Sequence, residues 1–150
     1  TGLVNGHDGA FWSVGLDKRL IKWDLGRLDR EDSIWTLPSQ VSCMAVSPLG
    51  HVSLAMASPD GHVQLVDPAS MKPTSSAKVH EGWISAMAWS PTDPDHFVTA
   101  AADCKVCIWD RRAMGEPLKL LETKKKVLAL DWASSGLYFG GEDCILHTYT

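Results

Sequence analysis

The sequence has few of the features that mark several large protein classes. It contains no run of about 18 consecutive apolar residues, so a membrane-spanning helix is not expected. Residues 1–10 have neither a basic start nor an apolar core, so no secretory signal peptide is visible. Tyrosine and phenylalanine are also scarce, because two Tyr and three Phe stand beside seven Trp. The excess of Trp therefore needs a structural explanation.

Positive charge and cysteine are scarce as well. Fourteen basic and eighteen acidic residues give a net charge of −4, which excludes a chain that coats nucleic acid through its overall field. The four cysteines lack a secretory context, so reduced thiols are expected. The pair Cys104-x-x-Cys107 lacks the second ligand pair that a structural zinc site needs. No cofactor or metal is therefore expected.

Familiar catalytic patterns are missing too. The chain has no phosphate-binding P-loop, no G-x-S-x-G nucleophile elbow and no H-E-x-x-H zinc motif. The sequence therefore predicts a protein that is not an enzyme.

An internal repeat of 43 residues organises the chain. Asp17, Asp60 and Asp103 are 43 residues apart, and Asp143 follows 40 residues later. Three segments of alternating polarity begin at residues 41, 84 and 127, again 43 apart. Each unit has the pattern of four short β-strands separated by turns. Four antiparallel strands in about 43 residues, repeated along a chain, are typical of a propeller blade.

The predicted fold class is all-β, with about three and a half blades of a seven-bladed β-propeller. We expect residues 1–37 to form an incomplete blade and the following outer strand. Residues 38–79 form the second unit, residues 80–122 the third, and residues 123–150 a final blade that lacks its outer strand. On this interpretation the chain is the latter half of a longer propeller.

Two Trp-Asp dipeptides at the ends of third strands, Trp23-Asp24 and Trp109-Asp110, resemble the signature of the WD40-repeat family. In that family a His, a Ser or Thr, an Asp and a Trp form a hydrogen-bonded network within a blade. The resemblance implies a structural network in the third unit, formed by His80, Thr99, Asp103 and Trp109. The same residues superficially resemble a nucleophile, its base and an orienting acid, but no oxyanion site accompanies them.

The other units retain only part of this network. The first unit has Ser13, Asp17 and Trp23. The second has Asp60, with apolar residues at the remaining places, and the fourth has Asp143. The residues that replace the missing members are Leu37, Met56 and Val66 in the second unit, and Thr123, Phe139 and Tyr149 in the fourth.

Gly6-His7 looks like the Gly-His dipeptide of the same family, but its spacing differs. His7 lies 16 residues before Trp23, whereas His80 lies 29 residues before Trp109. We therefore expect His7 in the hairpin between the first and second strands of a blade.

The later units resemble one branch of this family more specifically. The segments from His80 to Thr92 and from Lys126 to Trp132 are similar to the last two blades of the WD-repeat ribosome-biogenesis factor of the PeBoW complex. The resemblance implies a non-catalytic scaffold in 60S subunit assembly and pre-rRNA processing. It also implies that the chain docks onto the block-of-proliferation propeller beside pescadillo, within the pre-60S particle of the nucleolus and nucleoplasm. In that family a separate ubiquitin-like domain contacts midasin, so this segment is not expected to do so.

A second function stays open. Trp109-Asp110-Arg111-Arg112 fits the Trp-Asp-x-Arg pattern of substrate receptors for cullin-type ubiquitin ligases, in which the Arg reaches the ligase adaptor. Arg112 would then be the contact residue. Another kind of WD-repeat adaptor is also compatible with the pattern.

One face of a propeller consists of the loops that enter first strands and the turns that precede third strands. We place Gln40, Trp83 and the triplet Lys124, Lys125 and Lys126 on that face. Trp83 is either an anchor for a partner protein or packs against the next blade. The lysines either contact rRNA phosphate or form a solvated loop.

Overall fold

The computed structural model describes residues 2–5, 10–24, 26, 31–48 and 54–150. Fifteen β-strands form in these ranges. The strands are β1 (Gly2–Asn5), β2 (Ala10–Val14), β3 (Arg19–Asp24), β4 (Glu31–Thr36), β5 (Cys43–Val46), β6 (Leu54–Ala57), β7 (His62–Asp67), β8 (Lys72–Lys78), β9 (Ile84–Trp89), β10 (His96–Ala101), β11 (Lys105–Asp110), β12 (Lys119–Glu122), β13 (Val127–Ala133), β14 (Gly136–Gly141) and β15 (Leu146–Tyr149).

The strands form four antiparallel sheets in chain order. Three sheets have four strands, β1–β4, β5–β8 and β9–β12, and the fourth has three, β13–β15. The first sheet differs from the incomplete blade expected for residues 1–37. It has four strands because Gly2–Asn5 pairs with β2 along its whole length, from Gly2 opposite Val14 to Asn5 opposite Phe11. His7 lies outside the described residues.

The first strands of successive sheets, β1, β5, β9 and β13, contact one another in that order. Among the residues that the structure describes, three apolar clusters form the core, and each one lies between two neighbouring sheets. This side-by-side packing of four-stranded sheets is the arrangement of a partial β-propeller, and each sheet is one blade.

Burial follows from this packing. Strands β6 and β10 of the second and third blades are buried almost throughout, because both faces of these sheets are covered. Strand β1 instead alternates between half-buried and exposed residues, as a sheet with one covered face does. Exposed leucines, Leu3, Leu120, Leu128 and Leu146, lie in the first, third and fourth blades.

Polar contacts also join neighbouring blades. The Ser42 hydroxyl lies 2.8 Å from the Ile84 carbonyl oxygen of the third blade. At the matching place, 43 residues later, the Ser85 hydroxyl lies 2.5 Å from the Val127 carbonyl oxygen of the fourth. Ser42 immediately precedes β5 and Ser85 is the second residue of β9, so the blades are joined at the start of the strands that pack together.

No helix within the described ranges is long and apolar enough to cross a membrane.

Candidate protein-interaction face

The third blade contains a continuous chain of side-chain hydrogen bonds. Trp109 Nε1 donates to Thr99 Oγ1 over 2.9 Å, and Thr99 Oγ1 lies 2.8 Å from His80 Nε2. His80 Nδ1 lies 2.9 Å from Asp103 Oδ2. The Asp103 carboxylate also accepts the backbone N–H groups of Glu81 and Lys105. The network therefore links the loop before β9, the turn between β10 and β11, and the strands β10 and β11 themselves.

The chemistry of the network assigns the protonation of His80. The Trp109 indole can only donate, so the Thr99 hydroxyl accepts from it and donates onward to an unprotonated Nε2. Nδ1 then carries the single ring proton and donates it to Asp103. Burial lowers the pKa of His80, against the opposing effect of the Asp103 charge, and this favours the same neutral ring. Each of these four side chains thus has its hydrogen-bond partner within the network, as expected of a network that stabilises the fold.

The first blade repeats half of this arrangement. Trp23 Nε1 donates to Ser13 Oγ over 2.8 Å. Strand register explains the match, because Trp23 lies opposite Phe11 as Trp109 lies opposite Phe97. Asp17 is exposed, and its carboxylate accepts the backbone N–H of Arg19.

The second blade replaces the polar network with apolar packing. Met56 and Val66 are buried in one cluster, and Leu37 packs against it. Because apolar residues replace the histidine, the hydroxyl residue and the tryptophan of the network together, no buried polar group is left without its hydrogen-bond partner. Asp60 is left outside this cluster. Its carboxylate accepts a hydrogen bond from Ser58 Oγ and lies 3.2 Å from His62 Nδ1.

The fourth blade has a histidine partner that the repeat alignment missed. His147 Nε2 lies 2.6 Å from Asp143 Oδ2, and the His147 ring stacks on Phe139 with centroids 5.2 Å apart. This histidine comes from the third strand, whereas His80 comes from the loop before the first strand. The signal was the i, i+4 spacing of Asp143 and His147 across a tight turn.

Loops and turns form one continuous face across the blades. The Leu37 amide donates to Lys18 O, and the Ser42 amide donates to Ala57 O. The same pattern continues through every later junction. The further donor and acceptor pairs are Val79 N to Gly61 O, His80 N to Gly61 O, Ala102 N to Trp83 O, Thr123 N to Cys104 O and Glu142 N to Lys126 O.

This face, which we call the loop face, carries Gln40, Trp83 and Lys126 at matching places 43 residues apart. All three side chains are exposed, and each immediately precedes a buried residue, Val41, Ile84 or Val127. All seven Trp lie within the described ranges, and Trp83 is the one that is largely exposed, at 47%. Lys124 and Lys125 are also exposed, whereas Lys126 lies 3.8 Å from the Glu142 carboxylate.

Arg112 lies at the opposite end of the third blade, after β11. Its guanidinium donates to both Asp110 oxygens, with Nη2 2.7 Å from Oδ2, and Nη1 lies 3.1 Å from Asp95 Oδ2. The hydrogen bonds from Arg112 lower the pKa of Asp110 to about 2. The structure therefore does not bring Arg112 together with the residues of the loop face.

The two neighbouring cysteines lie in different surroundings. Cys104 occupies the turn before β11 with φ +65°, and Cys107 is buried within the strand. Burial raises the pKa of the Cys107 thiol to about 11. Within the part of the chain that the structure describes, no group of three or more His, Cys, Asp or Glu residues is placed to hold a metal ion.

Comparison with known proteins finds similarity to one repeat family. The model of the WD domain, G-beta repeat (WD40), matches residues 71–110. A curated ribosome biogenesis protein WDR12 homolog from Chlamydomonas reinhardtii is 27% identical over 95% of this chain and 34% of the relative. The homolog from Ixodes scapularis is 38% identical over 60% of this chain and 22% of the relative. The chain thus spans at most about a third of the length of these two relatives.

Solved structures share the fold. The structure of U3-55K aligns with a TM-score of 0.86 at 22% identity, over 99% of this chain and 47% of that one. The WD40 repeats of RRP9 align with a TM-score of 0.84 at 22% identity, over 97% of this chain and 46% of that one. At this identity the likeness establishes the fold alone.

Proposed function

We propose that this WD40-repeat chain is a scaffold in ribosome biogenesis. It has the fold of a partial β-propeller, and ribosome biogenesis proteins are similar to it over most of its length. It acts without catalysis, in large (60S) subunit assembly and pre-rRNA processing. It docks onto another propeller protein of the pre-60S particle, the block-of-proliferation protein, beside pescadillo. Its place of action is the nucleolus and nucleoplasm.

The exposure of Trp83 is the observation that carries the docking role. Its side chain is 47% exposed on the loop face, although large aromatic side chains gain most from burial. The backbone around it is fixed, because the Trp83 carbonyl accepts the Ala102 amide over 2.8 Å. A rigidly held, exposed Trp is typical of the anchor residues that dominate protein interfaces.

The internal polar network supports a role without catalysis. Hydrogen bonds within the network, to one another and to Trp109, occupy the polar side-chain atoms of His80, Thr99 and Asp103. The His80 side chain is also fully buried. A substrate could not reach this histidine without opening the blade. Contact between Lys124–Lys126 and rRNA phosphate stays a prediction.

Affinity purification of the full-length protein from cells tests the proposal. The unsubstituted protein is expected to sediment with pre-60S particles and to recover the block-of-proliferation protein under mild salt. Trp83→Ala is expected to reduce that recovery by about tenfold or more, the loss typical of an interface anchor. Recovery of cullin-ligase components alone would contradict the proposal and favour the ligase-receptor function of Arg112.

Leu118→Ala is the matched control. Leu118 is 57% exposed, but it lies in the segment before the outer strand β12 and not on the loop face. Its truncation removes an exposed apolar side chain, although a smaller one than that of Trp83. Equal losses in the Trp83 and Leu118 variants would assign the effect to general surface hydrophobicity.

A further inference from the structure

The repeat places an Asp at the same position in each blade, and the first two blades expose it, whereas the third and fourth do not. The Asp103 side chain is 10% exposed and that of Asp143 is 18% exposed, and each is paired with a buried or half-buried histidine. The Asp60 side chain is 68% exposed. The difference follows from Leu37, which occupies the place of His80 and packs into the apolar cluster. No imidazole from that position draws the Asp60 carboxylate inward.

Asp60 lines a cavity of about 190 Å³ on the loop face. Ser39, Ser58 and His62 contribute polar atoms to its wall, and the buried side chains of Val41 and Met56 contribute apolar surface. Ser58 Oγ donates to Asp60 Oδ1, and this hydrogen bond holds the pKa of the carboxyl below its usual range. The cavity therefore presents an oriented carboxylate at neutral pH.

The composition of the lining selects the ligand. Among the described residues that line the cavity, Asp60 is the one acidic residue, and neither Lys nor Arg is present. A phosphate group would meet an unfavourable charge there. A long basic side chain fits better, because its methylene stem can cover Val41 and Met56 while its cationic end reaches the carboxylate.

The cavity adjoins the segment that leads to Trp83. The turn after Asp60 is fastened to the loop before β9, since Gly61 O accepts the amides of Val79 and His80 over 2.9 and 3.1 Å. A Cβ atom on Gly61 would also lie only 3.3 Å from Gly82 O. A partner that covers Trp83 thus approaches the cavity as well.

We propose that the Asp60 cavity receives an Arg or Lys side chain of the protein that docks on the loop face. This inference rests on the proposed docking function and specifies the chemistry of the partner. Trp83 supplies apolar contact, and Asp60 sets the orientation, because a cation must stand opposite the second blade. Rigid turns on both sides of the cavity make the position of that cation specific.

Binding of purified pre-60S particles tests the inference. Particles from cells depleted of the protein are passed over immobilised full-length protein, and the dissociation constant is measured. Asp60→Asn keeps the shape of the side chain and its bond to Ser58 but removes the charge. It is expected to weaken binding by at least about tenfold, with a difference that shrinks as salt is raised. A melting curve equal to that of the unsubstituted protein shows that the fold is intact.

Glu81→Gln is the control for charge alone. Glu81 lies on the same face with a side chain 77% exposed, and it pairs with Lys78 over 3.0 Å outside the cavity. Its substitution is expected to change binding by less than about threefold. Equal effects of the two substitutions, or no effect of Asp60→Asn, would overturn the inference. Failure of the unsubstituted protein to bind the particles would instead overturn the proposed function, and the inference with it.

Photo-crosslinking identifies the occupant of the cavity. The crosslinker p-benzoylphenylalanine is placed at Ser39, which is exposed and lines the cavity. The expected product joins this position to a protein segment that contains Arg or Lys, and charge reversal of that residue should weaken binding as Asp60→Asn does. A crosslink to rRNA, or to a protein segment without a basic residue, would overturn the inference.

Discussion

Thr99 is the residue on which the polar network of the third blade depends. Its hydroxyl accepts from Trp109 Nε1 and donates to His80 Nε2, and the side chain is fully buried. Thr99→Val keeps nearly the same shape but leaves both partners without this contact. We expect the free energy of opening of the third blade to fall by about 1–3 kcal/mol, the cost of an unsatisfied buried polar group. Native-state hydrogen exchange of β9–β11 in the full-length protein measures this change.

Thr99→Ser is the control, because it retains the hydroxyl and removes one methyl group. It should cost less than the Val substitution, at about 1 kcal/mol. If Thr99→Val left exchange of the blade unchanged, the network would have no role in its stability.

His80 makes the stability of the same blade depend on pH. Its pKa is lowered in the folded protein, so as pH falls below about 6.5 the unfolded chain binds a proton that the folded chain does not. Stability is therefore complete above that value and declines as the pH falls toward the folded pKa. When the pH is lowered from about 7.5 to about 5.5, we expect the melting temperature to fall more steeply for the unsubstituted protein than for His80→Asn.

The comparison of slopes isolates His80 from the other five histidines, which both proteins share. Asp110 and Asp143 also lose stabilising interactions on acidification, but their lowered pKa values place that loss below about pH 4. Identical slopes in the two proteins would show that His80 is not the group that titrates.

Residue identities predicted the members of the network but not the surroundings of every member. His80, Thr99, Asp103 and Trp109 could be matched because each has a family counterpart at a fixed spacing. The exposure of Asp60 depends on Leu37, which lies 23 residues earlier, and on a cavity that only packing creates. The pairing of Asp143 with His147 was missed since the family pattern takes its histidine from a different segment.

At the scale of the elements, the 43-residue repeat predicted four strands in each unit, and the first strands were the clearest because their segments alternate in polarity. The run Ile84–Trp89 is β9 without any change of bounds. The expected place of His7 between the first and second strands of a blade implies a strand before it, but no bounds could be given for β1, because Gly2–Asn5 has only four residues and includes a Gly. It is a strand through pairing with β2 and through packing, since a Cβ atom at Gly2 would lie 3.6 Å from the Met44 Cβ. Tertiary contacts thus decide the short strands.

The turn between β6 and β7 depends on Gly61. This residue has φ +88°, and a Cβ atom there would lie 2.0 Å from the His80 carbonyl oxygen. Gly61→Ala is expected to destabilise the junction of the second and third blades by more than about 2 kcal/mol, because both backbone strain and a backbone clash arise. Hydrogen exchange of the Val79 and His80 amides, which bond to Gly61 O, should report the loss directly.

Gly115→Ala provides the control for this substitution. A Cβ atom at Gly115 would meet no atom within 4 Å. Its effect should stay within about 0.5 kcal/mol, as for most surface changes. Similar losses at the two glycines would show that the close approach of Gly61 to the next loop is not what stabilises the junction.

At the scale of the whole molecule, the core belongs to pairs of blades rather than to single blades. Each of the three apolar clusters takes residues from two successive sheets. In such repeat architectures, stability is approximately a sum of terms within each unit and terms between neighbours. This explains how the second blade tolerates the loss of its polar network, since Met56 and Val66 add to the cluster that it shares with the first blade.

Ser85 tests this coupling between neighbours. Its hydroxyl lies 3.1 Å from Ala100 O in the third blade and 2.5 Å from Val127 O in the fourth. Ser85→Ala removes a contact that both blades share, and we expect a cost of about 0.5–1.5 kcal/mol. Hydrogen exchange should then rise in β9 and in β13 together, although only β9 carries the substitution. Ser70→Ala, which removes an exposed hydroxyl bonded to Asp67 on the outside of the second blade, should leave both strands unchanged. A rise confined to β9 would mean that each blade opens independently and that the cross-blade contact does not couple them.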